Sequence, residues 1–389
     1  MNFKSLDCYL DRFYREKNIP GLGISIYKDG KQIHMYCTGF ADVEKKIPFA
    51  QDTMINLYSA TKLSTCTAAL RLVEKGLIRL TDPVEKYLPE MAGVKVRQEN
   101  GQLLAPKNKM LIRHLFSMSA GFSYGRDLPA LRELLIRTNG RPTTRQAMEA
   151  LAKEPLLFES GSRFQYSFCH DVLGALMEVV CGDTLDHILR RELFDPMDMP
   201  DTSFHLNEQQ RKRLAPEYSH FNGKNDTADA VTFREGVDMG LGPVYESGGG
   251  GLISCVRDYG KLAAMLANGG IAPNGKRILS ADTIAKMQEN QLTEEGKKDF
   301  EAFGGWSKAG YGYGLGVRVL MDRERNNSLS ENGELGWDGA LGCYFASDPK
   351  SGIAIFYAQQ EEGSKWYEYH GMIRNYVYAC ILGSEERNE

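Results

Sequence analysis

Phe3, Leu6, Leu10, Phe13 and Tyr14 recur at three- and four-residue steps, the spacing of one apolar helix face over residues 3–17. The period then changes. Residues 21–27 and 32–36 read as strands, and Lys28-Asp29-Gly30-Lys31 between them carries the Asp-Gly pair of a tight hairpin. From residue 61 to about 235 helical spacing dominates: 60–74 stopped by Gly76, 128–137, 145–152, and 171–181 stopped by Gly182. In the last of these, Leu173, Leu176, Met177 and Val180 make a core face. A polar hairpin over 94–104, turning at Asn100-Gly101, interrupts that section. A glycine-rich stretch at 240–251 precedes a helix at 256–266. Strand patterns return at 314–319, 342–347 and 353–359, the last two joined by Asp348-Pro349-Lys350-Ser351-Gly352, and 366–381 reads as a closing helix.

Strands at both ends with helices between them predict an α+β chain in two parts. A sheet domain is built from residues 1–60 and 236–389, and a mostly helical domain, 61–235, is inserted into it. Two domains also suit 389 residues, at about 100–200 per domain. A hydrophobic content of 42% with 25% charged residues excludes disordered, collagen-like and coiled-coil chains. Lys and Arg number 47 against 51 Asp and Glu, which gives no basic excess to draw a nucleic acid or an anionic membrane. The longest apolar stretches, such as 352–358, are strand-sized, so no membrane span is expected. Lys4, Asp7, Asp11, Arg12 and Arg15 break up the N-terminal segment, which therefore lacks a secretory core and points to the cytoplasm. Eight cysteines without a Cys-x-x-Cys pair then read as reduced thiols, mostly buried.

The first candidate for chemistry is Ser59-Ala60-Thr61-Lys62. Ser-x-x-Lys occurs three times, at Ser25, Ser59 and Ser347. Ser25 and Lys28 lie three apart on a strand and face opposite ways. Ser347 and Lys350 straddle Pro349 in a turn. Only Ser59 stands where a helix begins, so that Lys62 shares its face and reaches its hydroxyl. A helix start also offers free backbone N–H groups to an oxyanion. The plain alternative is a serine N-cap followed by a solvated lysine.

The segments 54–62, 76–84, 112–121, 158–167 and 248–254 resemble, in order and over nearly the whole chain, the serine β-lactamase-like family. That family holds class C β-lactamases, penicillin-binding peptidases and carboxylesterases. The resemblance implies an antiparallel sheet flanked by the N- and C-terminal helices, with the active site between sheet and inserted domain. It implies Ser59 as nucleophile, with Lys62 and Tyr166 of Tyr166-Ser167-Phe168 as proton carriers. A phenol is a poor base at neutral pH, and a neighbouring ammonium favours its phenolate. Phe168 stands where the family has Asn, which removes a group able to hold a substrate amide.

The family's third motif aligns with Gly336-Trp337-Asp338-Gly339-Ala340-Leu341-Gly342. By resemblance the Ala340 N–H joins that of Ser59 as the oxyanion hole, and Gly339 lets substrate approach the backbone. Trp337 replaces the family's cation, as in several carboxylesterases of this fold. Phe122, Tyr124, Phe168, Tyr311 and Trp337 are candidates for an apolar pocket. Asp338 adds a carboxylate. If it faces the pocket, unit charges about 4 Å apart repel by about 4 kcal/mol at an effective dielectric near 20, unless an arginine such as Arg318 neutralises it. The expectation is a preference for neutral or cationic acyl compounds.

Other patterns fall away. Gly270–277 ends in Arg277 where a phosphate loop needs Ser or Thr, and reads better as a turn at Asn274-Gly275. The seven histidines have no metal-ligand spacing, so neither metal nor cofactor is expected; His170 reads as a helix-start residue. No G-x-S-x-G elbow exists. The sequence thus predicts a serine hydrolase forming an acyl-enzyme, acting on small neutral carboxylic esters. The alternatives are a β-lactamase or D-amino-acid peptidase of the same fold, and a non-catalytic binding protein that keeps it. Its partner is a small ester or amide; oligomeric state is not legible.

Overall fold

The computed structural model describes residues 1–124, 128–219, 229–232, 241–242, 244–363 and 365–385. The Asp-Gly hairpin forms as expected: strand Gly21–Lys28 pairs antiparallel with Lys31–Asp42, and Asp29 and Gly30 both take positive φ, 50° and 74°. Two left-handed residues give a turn whose twist matches that of the strands.

This hairpin completes one antiparallel sheet. In spatial order its strands are Tyr311–Tyr313, Arg318–Leu320, Leu335–Asp338, Tyr344–Asp348, Ile353–Gln359, Gly21–Lys28, Lys31–Asp42 and Ile47–Pro48. The two ends of the chain meet where Leu22 pairs with Gln359. Side chains alternate across the sheet. Leu22, Ile24, Ile26, Ile355 and Tyr357 pack with the helices Lys4–Glu16 and His370–Glu385. Phe345, Ala354, Phe356 and Ala358 face the main core, where helix Val256–Ala267 covers them. That helix lies close: an added Cβ on Gly23 would sit 2.8 Å from Val256 Cγ2. Ser25 donates to Val256 O at 3.4 Å and Ser347 to Ala263 O at 2.8 Å. Both of the rejected Ser-x-x-Lys serines are thus buried fasteners between sheet and helix.

Helix Cys169–Cys181, ended by Gly182 at φ 64°, packs on Thr61–Glu74 and Ile112–Phe116. Several expectations are corrected. Residues 314–319 are not one strand: 314–317 form a turn, with Gly316 at φ 86°, that joins the three-residue strands Tyr311–Tyr313 and Arg318–Leu320. Strand Leu335–Asp338 is too short to show alternation, and helices Ala281–Met287 and Glu294–Gly304 are too polar to show a clear face. Within the stretch expected to be mostly helical, Glu217–Ser219 and Asp229–Thr232 form a small sheet with Glu361–Glu362. The proposed boundary at 235/236 and the start of the glycine-rich stretch lie outside the described residues. Among the described residues no helix is long and apolar enough to cross a membrane.

Candidate active site

The Thr61–Glu74 helix is buried around almost its whole circumference for three turns. Three of its buried hydroxyls, on Thr61, Ser64 and Thr65, have partners, as burial favours, while Thr67 Oγ1 has none among the described residues. Thr61 Oγ1 accepts the Leu252 N–H at 3.1 Å, Thr65 donates to Gly248 O at 2.8 Å, and Ser64 pairs with Tyr259 OH at 3.0 Å. Before the helix the chain tightens into a 3-10 turn, Tyr58–Ala60, entered through Tyr58 at φ 47°, a costly conformation for an aromatic residue. Ser59 sits inside that turn and is not an N-cap; its side chain makes no capping bond.

Two groups converge on the Ser59 hydroxyl. Tyr166 OH lies 2.5 Å from Ser59 Oγ, and Lys62 Nζ donates to the same oxygen at 3.2 Å. Lys62 is fully buried, yet among the described residues no carboxylate pairs with it directly. Gly249 O accepts from its ammonium at 2.5 Å, and the faces of Tyr166 and Tyr124 lie 4.6 and 5.5 Å away. Trp337 donates its indole N–H to Tyr166 OH at 3.2 Å and stacks beside that ring. The structure therefore brings Ser59, Lys62, Tyr166 and Trp337 together, from three separate parts of the chain.

Ala340 lies at the tip of the turn after strand Leu335–Asp338, closed by Gly342 N–H donating to Gly339 O at 2.9 Å. Trp366 fixes this peptide by donating to Ala340 O at 3.1 Å. Within the described residues, neither the Ser59 nor the Ala340 N–H is used in a hydrogen bond. Gly339 has a different reason for being glycine than substrate access: an added Cβ would lie 2.5 Å from Leu57 O.

Ser59, Tyr166, Trp337, Gly339 and Ala340 line one cleft of about 450 Å³, together with Phe303, Lys308 and Trp366. Four expected pocket residues are elsewhere. Phe122 is in the core, and Phe168 is buried at the start of helix Cys169–Cys181, edge-on to Tyr124 at 4.6 Å. Tyr124 lies behind Tyr166, its hydroxyl directed at Asp171. Tyr311 is buried further back and donates to Glu334 at 3.0 Å. The sequence shows these rings as apolar and near the motifs but not which side of the motif each occupies.

Asp338 is corrected too. It lines the cleft but is only 6% exposed, with Lys308 Nζ at 2.6 Å and Arg318 Nη1 at 3.0 Å. Burial alone would raise its carboxyl; Arg318 and Lys308 outweigh that and hold it far below the usual range. Its charge is spent on these cations, so the repulsion expected for anionic substrates has no source.

Sequence reading also missed Asp171. Buried at 1% exposure, it accepts from Ser247 Oγ at 2.6 Å and Gly249 N–H at 3.3 Å, which sets the carbonyl that receives Lys62. The glycines there permit this closeness, since a Cβ on Gly249 would lie 2.7 Å from Tyr124 OH. His170, one residue earlier, is structural: its ring bonds Phe116 O at 3.0 Å, and burial with the nearby Lys62 charge pushes its pKa down to about 3. Among the described residues no group of His, Cys, Asp or Glu side chains is placed to hold a metal ion.

The family model described as Beta-lactamase matches residues 6–370. Esterase EstB of Burkholderia gladioli is 26% identical over 383 residues, covering 90% of this chain and 88% of its own. The lovastatin esterase of Penicillium rubens is 27% identical over 330 residues, 79% of this chain and 80% of that one. The solved structure of EstCE1, described as a hydrolase with promiscuous acyltransferase activity, matches with a TM-score of 0.79 at 26% identity, covering 96% of this chain and 98% of that one.

Proposed function

The chain belongs to the beta-lactamase family and is a serine hydrolase, an esterase or related acyl transferase, and we propose that it hydrolyses small carboxylic esters at Ser59. The observation that carries this reading is the convergence of Tyr166 OH and Lys62 Nζ on Ser59 Oγ, at 2.5 and 3.2 Å. The Ser59 proton leaves to the Tyr166–Lys62 pair as Oγ bonds to the ester carbonyl carbon. The oxyanion that develops is held by the Ser59 and Ala340 N–H groups. As the tetrahedral centre collapses, the ester C–O bond breaks and the alcohol takes the proton from the pair. Water then attacks the acyl-Ser59 with the same groups acting in reverse.

An ester fits better than an amide. Phe168, in the family's Asn position, is buried under Tyr124 and offers nothing to a substrate amide. The aromatic walls formed by Phe303, Trp337 and Trp366 suit a compact apolar group. The test is a fluorophosphonate probe with a panel of nitrophenyl butyrate and a chromogenic cephalosporin. Wild type is expected to label and to favour the ester, while Ser59→Ala loses labelling and about a thousandfold or more of the rate. Labelling that survives in Ser59→Ala, or equal rates on cephalosporin and ester, would overturn the reading.

A further inference from the structure

Next to the cleft lies a second, smaller cavity of about 80 Å³, which shares Lys308, Asp338 and Trp366 with it. Lys308 joins the two: its ammonium lies over the Trp337 ring at 5.2 Å. Three buried cations, Lys308, Arg318 and Arg374, line this chamber. Among the described residues two carboxylates answer them, Asp338 and Glu334. His370 on the wall adds no charge at neutral pH, because burial lowers its pKa further. Burial lowers the Lys308 pKa while Asp338 beside it favours the ammonium; with that proton in place, one positive charge is left over among these groups.

The hydrogen-bond inventory has the same sign. Of the three N–H groups on Lys308, one is used among the described residues, on Asp338 Oδ2 at 2.6 Å. Arg374 spends Nη1 on Tyr311 OH at 2.8 Å and Asn326 Oδ1 at 3.1 Å. Its Nη2 makes no hydrogen bond to the described residues and lies beside the bare Gly371 on the wall, 3.8 Å from where a Cβ would be. The Tyr344 hydroxyl, also in the lining, is buried without a partner. Against these donors stand two unpartnered acceptors among the described residues, His370 Nδ1 in the lining, 3.8 Å from Asp338, and Oε1 of Glu334 behind it. A chamber with surplus donors and surplus positive charge is complementary to a carboxylate.

We propose that this chamber seats the carboxylate of an anionic substrate whose ester group lies at Ser59, so that half-esters of short dicarboxylic acids are the favoured class. The inference rests on the esterase reading and narrows its substrate. It reverses the expectation drawn from Asp338 in the sequence, where the cations from Lys308 and Arg374 could not be seen.

The experiment compares the mono-nitrophenyl ester of glutaric acid with its neutral monoamide counterpart of equal length. Wild type is expected to favour the anionic ester by about tenfold or more in kcat/KM, chiefly through KM. Arg374→Gln and Tyr344→Phe should each cut that preference about fivefold, with Arg374→Lys recovering part of it; circular dichroism confirms folding, and Tyr344→Phe keeps the test decisive if Arg374→Gln does not fold. Free glutarate should inhibit competitively while glutaramide does not. A wild-type preference at or below one, or a preference untouched by both changes, overturns the inference. So does inhibition by glutarate without preference for the anionic ester, which would mark a site for free anions. Ester turnover without charge preference leaves the esterase reading standing; no turnover and no fluorophosphonate labelling removes both.

Discussion

The indole N–H of Trp337 points at the Tyr166 hydroxyl from 3.2 Å, and that hydroxyl lies 2.5 Å from Ser59 Oγ. A donor placed there favours a tyrosine oxygen that carries negative charge while it takes a proton. Hydrogen bonds to charged groups contribute about 1.5–3 kcal/mol, equivalent to roughly 10- to 100-fold in rate. Trp337→Phe keeps most of the ring packing against Tyr313, whose centroid is 5.2 Å away, and removes the N–H. Its kcat on nitrophenyl butyrate should fall by that factor with an unchanged melting temperature. An unaltered kcat would reduce Trp337 to a packing residue.

Asp171 acts one step further from the ester. It holds Gly249, and Gly249 holds Lys62. Asp171→Asn keeps an acceptor for Ser247 and removes the negative charge near the Lys62 ammonium. It should lower kcat about tenfold with little change in KM or melting temperature. Asp171→Ala strips three donors, Ser247, Gly249 and Tyr124, of their acceptor and should also lose about 1–3 kcal/mol of stability by urea unfolding. Equal losses in both variants, with kcat following stability alone, would argue against a positioning role.

These relationships differ in how far the sequence disclosed them. Ser59 and Lys62 were legible because a helix dictates that residues three apart share a face, and the Asp29-Gly30 turn because two left-handed residues suit few other sequences. Tyr166 was legible only through family resemblance, since nothing local ties it to Ser59, 107 residues away. Asp338 was misread for a related reason. Its partners arrive through tertiary structure: Arg318 from the neighbouring strand, in register with Gly336, and Lys308 from a short turn after a polar helix. Phe303, half exposed, and Trp366, in a short 3-10 turn, line the cleft without belonging to any periodic pattern.

The Asp338 cluster makes a stability prediction. Its carboxyl is held below its ordinary 3.8, so the contribution it makes to folding is complete above about pH 4 and is lost only as pH falls through the depressed folded value. Stability between pH 5 and 8 should therefore owe no slope to this residue. Asp338→Asn leaves Lys308 and Arg318 buried without their shared anion and should lose about 3–5 kcal/mol in urea unfolding. Adding Lys308→Met should recover part of that loss. If the double variant is no more stable than the single one, the Lys308–Asp338 pair is not the source.

His170 predicts acid sensitivity next to the catalytic groups. It is neutral when folded, with a pKa pushed down to about 3 from an ordinary 6.5, chiefly by burial and then by the Lys62 charge. Between those values the unfolded chain binds a proton that the folded one refuses, so stability rises with pH across the window and falls on acidification. From pH 7.5 to pH 5 the loss from this one group is about 2 kcal/mol. His170→Gln retains an N–H for Phe116 O and cannot be protonated. Urea unfolding of the variant should show a difference between pH 7.5 and pH 5 smaller than wild type by about that amount. Reversible loss of esterase activity in mild acid should move to lower pH with it, because unfolding around His170 releases Asp171, the next residue on the same helix, and through it the Gly249 carbonyl that holds Lys62. Identical pH slopes in variant and wild type would mean that His170 takes up its proton without opening the fold.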